Sequence, residues 1–202
     1  MLTAPRLVLA SASRARLRTL QNAGLSPEVV VSGVDESTVK VTTPADYTLK
    51  LAQLKAVAVA ADQKRAIVIG CDSVLALDGQ ILGKPASEDE AIARWEQMRG
   101  RAGVLHTGHC VIDTHREVWI ARSAATRVRF AQVTDEEIEA YVRTGEPLEV
   151  AGAFTIDGLG GAFVSGITGD PHNVVGISVP LLRLMFDELG FRWTDFWTST
   201  GG

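Results

Sequence analysis

Five consecutive apolar residues, Ala66-Ile-Val-Ile-Gly70, constrain this chain more than any other stretch, and Asp72 follows them almost at once. A strand exposed on one face alternates apolar with polar positions. One with no polar position is covered on both faces. The sheet that holds this run therefore has helices on either side.

The neighbouring segments supply those layers. Leu7-Val-Leu-Ala10 predicts a buried strand, and Arg14 to Ala23 a helix closed by Gly24. Val29–Val31 predicts a second strand. Thr43-Pro44 reads as an N-cap with proline at the first helical position, opening an alanine-rich helix to Ala61. Val74–Leu77, Asp78-Gly79 and Gln80–Leu82 read as strand, turn and strand, because Asp-Gly suits two central residues at positive φ. Ser87 with Glu90, and Thr134 with Glu137, are capping boxes for helices running to Met98 and to Gly145. Between them lie two long strands, Val104–Asp113 and Val118–Phe130. Glycine is dense from Gly152 to Gly176, and a last helix spans Pro180 to Leu189. Alternating strands and helices followed by hairpins predict an α/β fold with a mixed sheet and flanking helices. No linker divides residues 1–202, so a single domain is expected.

Composition excludes several classes. Of 202 residues, 46% are hydrophobic and 22% charged, which is too apolar for a disordered chain. No apolar run reaches the roughly 20 residues that span a bilayer, so no membrane role is expected. Ser11, Ser13, Arg14, Arg16 and Arg18 interrupt any signal-peptide core. Cys71 and Cys110 are too few for a disulfide framework, which predicts a reducing cytoplasm. A net charge of −4 argues against nucleic acid as a partner. Within that acidic total, Arg6, Arg14, Arg16 and Arg18 form a local basic cluster suited to a small anion, or to a solvated helix face.

The chemistry-bearing residues fall at strand ends. The turn Ser11-Ala-Ser13 leads into a helix N-terminus, where free N–H groups and the macrodipole favour an anion. Ser13 also serves simply as an N-cap. Asp72 follows the apolar strand and Asp35-Glu36 follows the second one. Carboxylates so placed suit Mg²⁺ or Mn²⁺, or act as ordinary caps. Lys55 lies in the alanine-rich helix and Lys84 between Gly83 and Pro85, each able to bind phosphate as a point charge or to stand at the surface. His106, His109 and Cys110 do not make a zinc site. Residues three apart in a strand face opposite sides, and no second ligand pair follows.

Together these segments resemble the Maf family, nucleoside triphosphate pyrophosphatases first described as septum-formation inhibitors. The resemblance runs from Leu7 to about Leu189 and rests on Leu9-Ala-Ser-Ala-Ser13 with Arg16, Val34-Asp-Glu36, Leu51-Ala-Gln-Leu-Lys-Ala56, Ile69-Gly-Cys-Asp-Ser-Val74, Ile81-Leu-Gly-Lys-Pro85, Thr107-Gly108, Tyr141-Val142, Ala151-Gly152 and Asn173-Val-Val-Gly176, in family order. It implies an elongated α/β fold with two lobes around a central cleft, like that of the inosine-triphosphate pyrophosphatases. It also implies hydrolysis of a nucleoside triphosphate to the monophosphate and pyrophosphate with a divalent cation, Mg²⁺ or Mn²⁺. On that basis Asp72 is the catalytic base; Ser11, Ser13, Arg14, Arg16, Lys55 and Lys84 hold the triphosphate; Glu36 and Asp72 hold the metal. A non-catalytic septation regulator and a nucleotide sensor are the alternatives. Family likeness together with Trp193, Phe196 and Trp197 near the C-terminus predicts a homodimer.

The specificity positions depart from the family. Members that prefer dTTP and UTP carry Arg, Thr and Gln where this chain has Ala15, Ser73 and Asp157. Members that prefer 7-methyl-GTP carry Trp, Gln and Glu. Ala15 leaves room, and an ionised Asp157 accepts hydrogen bonds but donates none. Guanine offers N1–H and its 2-amino group, and cytosine its 4-amino group. Uracil and thymine offer one N–H flanked by carbonyls. The expected preference is for guanine- or cytosine-type bases, modified forms included. A substrate panel should give dTTP and UTP the lower kcat/KM.

Overall fold

The computed structural model describes residues 5–41 and 43–197. Its elements in chain order are β1 (Arg6–Leu9), α1 (Arg14–Asn22), β2 (Glu28–Val29), α2 (Pro44–Ala60), β3 (Ala66–Leu77), β4 (Gln80–Leu82), α3 (Glu88–Met98), β5 (Ala102–Asp113), β6 (Val118–Phe130), α4 (Asp135–Val142), β7 (Val164–Thr168), α5 (Pro171–Val175) and α6 (Val179–Glu188), with short 3₁₀ turns between some of them. The described strands form one mixed sheet in the order β2-β1-β3-β5-β6-β7, with β4 paired to β3. β1 runs parallel to β2 and β3, with Leu9 opposite both Val29 and Ile69. β4 and β7 pair antiparallel with β3 and β6.

The chain forms two compact units. The first holds the described residues up to Asp72, Thr107–Ala124 and those from Gly176 onward; the second holds Ser73–His106 and Ala125–Val175. The strands β3, β5 and β6 contribute residues to both.

In the first unit the fully apolar strand is covered on both faces, as its sequence requires. Val8, Ala10, Ala66, Val68 and Cys110 pack with Ala52, Ala56 and Val59 of α2. The alternate residues Leu7, Leu9, Ile67, Ile69, Cys71 and Val111 pack with Leu20, Leu182, Met185 and Phe186. Phe196 and Trp193 join this second layer, with ring centroids 5.1 and 5.4 Å from that of Phe186. Two of the three aromatics behind the homodimer expectation therefore fold back on their own core. Trp197 is 56% exposed, and its indole donates to the Ala23 carbonyl.

The second unit is built around Trp95. Its indole N–H donates to the Ala153 carbonyl at 2.7 Å, and its ring meets Phe130, Tyr141 and Phe163 edge-on. Such contacts add to the burial of a large side chain.

Several boundaries differ from the sequence reading. Ala66–Gly70 and Val74–Leu77 are one strand, because Cys71 and Asp72 stay extended and buried. The second strand is Glu28–Val29 rather than Val29–Val31, since only Val8 and Leu9 face it. The helix of Ser87 has a one-sided cap. Ser87 Oγ accepts the Glu90 amide, but the Glu90 carboxylate accepts from Ala86 N–H and Arg94 instead of closing on Ser87. Thr134 and Glu137 make the full box. Asp78 and Gly79 sit at φ +48° and +80°, as their turn requires.

The glycine-dense region hides a strand, β7, and is tied to a carboxylate hub just upstream of it. Glu146 accepts hydrogen bonds from Tyr141 Oη, Thr155 Oγ1, Leu159 N–H and Gly160 N–H at 2.7–3.0 Å. Burial pushes its carboxyl up, but the bonds from Thr155, Gly160, Leu159 and Tyr141 outweigh that and hold it below the usual range. A depressed carboxyl stabilises the fold above the unfolded pKa, and the contribution fades as pH falls through the folded one. Glu146→Ala should therefore cost about 2–3 kcal/mol at neutral pH. The gap from the parent chain should close in acid, as read from denaturant melts at pH 7 and pH 3.

Candidate active site

β1, β2 and β3 lie side by side in parallel, and each leads to a polar group near the level where β1 and β2 stop, although β3 itself runs on to Leu77. β1 gives way to the Ser11–Ser13 turn, β3 runs on into Asp72, and the chain beyond β2 reaches Glu36. Carboxyl ends of parallel strands are where open sheets present their ligand sites.

Position along β3 decides what Asp72 faces. Side chains alternate along a strand, so Asp72 lies on the face of Ala66, Val68 and Gly70, beneath α2. Gly70 lets that helix come close. A Cβ there would strike the Ala52 carbonyl and stand 2.8 Å from Ala56 Cβ. Gly108 on β5 plays the same part, since a Cβ would strike the Thr48 carbonyl. Lys55 on α2 is thereby brought over Asp72.

The Lys55 ammonium lies 2.5 Å from Asp72 Oδ1 and 2.7 Å from Glu36 Oε1. Lys55 and Asp72 side chains are 12% and 11% exposed, while Glu36 is half open to solvent. Burial drives the Asp72 carboxyl above the usual carboxylate range, against the pull of Lys55 and Arg16; the Glu36 charge pushes the same way as burial. The net effect favours the protonated carboxyl, with Lys55 and Arg16 opposing it. Asp35 has a different task. Its Oδ1 accepts Ser37 N–H and Oγ, capping the 3₁₀ turn that presents Glu36.

Arg16 ties the strand ends together. Its Nη1 donates to Ser11 Oγ and to the Cys71 carbonyl, both at 3.0 Å, and its Nε to the Gly176 carbonyl at 2.8 Å. Ser11 is buried, and its Oγ also accepts Ser13 N–H. Ser13 caps α1 by accepting Arg16 N–H. Arg14 is exposed and Ala15 half-buried on the first turn of that helix.

Sequence reasoning missed Tyr47. It stands two turns before Lys55 on the same face of α2, a spacing that could have marked it. Burial, then the charges of Asp72 and Glu36, push its phenol up against the pull of Lys55. It stays a neutral donor beside the two carboxylates. Cys71 is excluded as a nucleophile, since burial pushes its thiol up to about 12. The remaining expected residues belong to the second unit. Ser73 is half-buried, with its side chain on the opposite face of β3 from Asp72; Lys84 and Asp157 are exposed.

No group of three or more His, Cys, Asp or Glu side chains among the described residues forms a ready metal cage. The pair Glu36 and Asp72 nonetheless converges on one cationic position, where the Lys55 ammonium stands. Two carboxylates are hard oxygen donors of the kind Mg²⁺ and Mn²⁺ take when they keep several waters, so the residues fit such an ion. Lys55→Met should leave the two carboxylates facing one another and cost about 3 kcal/mol. Mg²⁺ should raise the melting temperature of that variant more than that of the parent.

The family described as Maf-like protein matches residues 6–189. A nucleoside triphosphate pyrophosphatase of Streptomyces coelicolor is 58% identical over 194 residues, covering 95% of this chain and 94% of its own. One of Streptomyces avermitilis is 57% identical over 195 residues, covering 96% and 95%. Among solved structures, the Staphylococcus aureus Ham1 protein aligns with 63% of this chain and 72% of its own at 17% identity and a TM-score of 0.42, a likeness too slight to bear on the site.

Proposed function

The chain belongs to the Maf-like protein family, and we propose that it hydrolyses a nucleoside triphosphate to the monophosphate and pyrophosphate with Asp72 as the base. The observation that carries this reading is the buried Asp72–Lys55 pair beneath α2, with Glu36, Arg16 and the Ser11 hydroxyl around it.

Asp72 is placed to take a proton from water as the new P–O bond forms and the α–β bridge breaks. Burial raises its proton affinity, and the Lys55 ammonium favours the ionised form against it. A triphosphate competes for the Lys55 ammonium, which shifts part of its charge from the carboxylates to the phosphate oxygens. Arg16 adds a guanidinium already oriented by three acceptors, and Ser11 adds a hydroxyl donor. Ser13 and Arg14 open the N-terminus of α1, whose free amides favour an anion. Fixed donors and charges of this kind supply the larger share of catalysis at phosphoryl centres. Glu36 and Asp72 would hold a divalent cation, Mg²⁺ or Mn²⁺, and its charge would draw electron density from phosphate oxygens when bound.

Pyrophosphate release over a panel of nucleoside triphosphates, with Mg²⁺ and with Mn²⁺, tests the reading. Asp72→Asn keeps the shape and removes the base, so kcat should fall about 10²–10⁴-fold while the variant stays folded. Turnover near that of the parent would remove Asp72 from the chemistry.

A further inference from the structure

His109 belongs to the His-x-x-His-Cys stretch that yields no zinc site, and the chemistry above does not use it. It is wholly buried, on the face of β5 that carries Val111 into the core with α1 and α6. Its Nε2 accepts the backbone N–H of Ser178 at 2.8 Å. A ring nitrogen that accepts holds no proton, so the ring proton sits on Nδ1. Ser178 is the N-cap of α6, where its Oγ accepts Leu181 N–H. Its own amide lies outside the ladder of that helix and needs an acceptor from elsewhere. His109 provides it.

The bond fixes a turn that reaches the site. Gly176, just upstream, sits at φ +110°, which L side chains rarely adopt, and its carbonyl accepts Arg16 Nε at 2.8 Å. The same guanidinium holds Ser11 Oγ and the carbonyl of Cys71, the residue before Asp72. A continuous chain of contacts thus runs from the His109 ring through the Ser178 amide and the Gly176 carbonyl to Arg16.

We propose that His109 is a positioning residue. It anchors the Gly176–Ser178 turn and so holds the Arg16 guanidinium in the orientation that receives the triphosphate. The inference rests on the pyrophosphatase reading for its substrate but not for its geometry. An apolar side chain at 109 would leave the buried Ser178 amide without its acceptor. The turn would then shift to find another, carrying the Gly176 carbonyl away from Arg16.

Two measurements test this. In ¹⁵N-labelled parent protein, a through-bond N–H···N coupling should connect Ser178 N with His109 Nε2. Its absence would overturn the proposal without any variant. Then His109→Gln, which keeps an acceptor at that reach, and His109→Leu, which removes it, are compared by pyrophosphate-release kinetics and by exchange of the Arg16 Nε–H. His109→Leu should raise KM about tenfold with kcat changed by no more than about twofold, and should lose Arg16 Nε–H protection. His109→Gln should restore both. An unchanged KM with a protected Arg16 Nε–H in His109→Leu, or a glutamine variant as impaired as the leucine one, would overturn the role. A parent chain that releases no pyrophosphate would instead overturn the pyrophosphatase reading, leaving the coupling and exchange results to judge the geometry.

Discussion

Helix α2 touches the sheet at backbone distance, and the site depends on that contact. Two strand glycines, Gly70 and Gly108, face it, and Ala52 and Ala56 meet it from the helix. Interiors are packed too densely to absorb even a methyl group without movement. At this separation the Lys55 side chain comes down on β3 and meets Asp72 at 2.5 Å. A larger residue at either glycine would lift the helix and take the ammonium with it.

That pairing sets the electrostatics of the whole strand edge. A buried carboxylate left alone would take up a proton. Lys55 and Arg16 oppose this from two sides, one on α2 and the other on α1, which cover opposite faces of the sheet. Asp72 is thus held where proton transfer is accessible to it. A carboxyl perturbed by burial together with a specific charge partner marks a candidate catalytic group. Glu36 and Tyr47 complete the surroundings, one as a second oxygen donor and the other as a neutral phenol.

Much of this was legible in the residues. The unbroken apolar run around Ile67–Ile69 announced a doubly covered strand, but Asp72, expected just past its end, lies inside it, because β3 stays extended to Leu77. Thr43-Pro44 and Thr134–Glu137 marked helix starts because their signals are local. Other features needed the third dimension. Three of the four passages between the two units fall inside β3, β5 and β6, and the fourth follows directly on α5 at Val175–Gly176, so no linker composition could reveal them. Asp35 and Glu36 are alike in chemistry, and the turn that Asp35 caps gives the physical reason why Glu36, the one the family resemblance selects, reaches Lys55. The function of Gly70 is equally silent, since a glycine within a strand reads as a weak point until the helix above it is seen. Just ahead of the glycine-dense region, Glu146 organises its neighbours through partners up to fourteen positions away, beyond the reach of any short motif.

The central claim is that the close seat of α2 on Gly70 makes Asp72 and Lys55 a working pair. The most direct test is the pyrophosphate-release rate of Gly70→Ala at saturating triphosphate, measured beside its melting temperature. The account predicts a folded protein whose kcat has dropped by about tenfold or more, as expected when reacting groups are displaced by a fraction of an ångström to an ångström. A folded Gly70→Ala variant with the full kcat of the parent would contradict it.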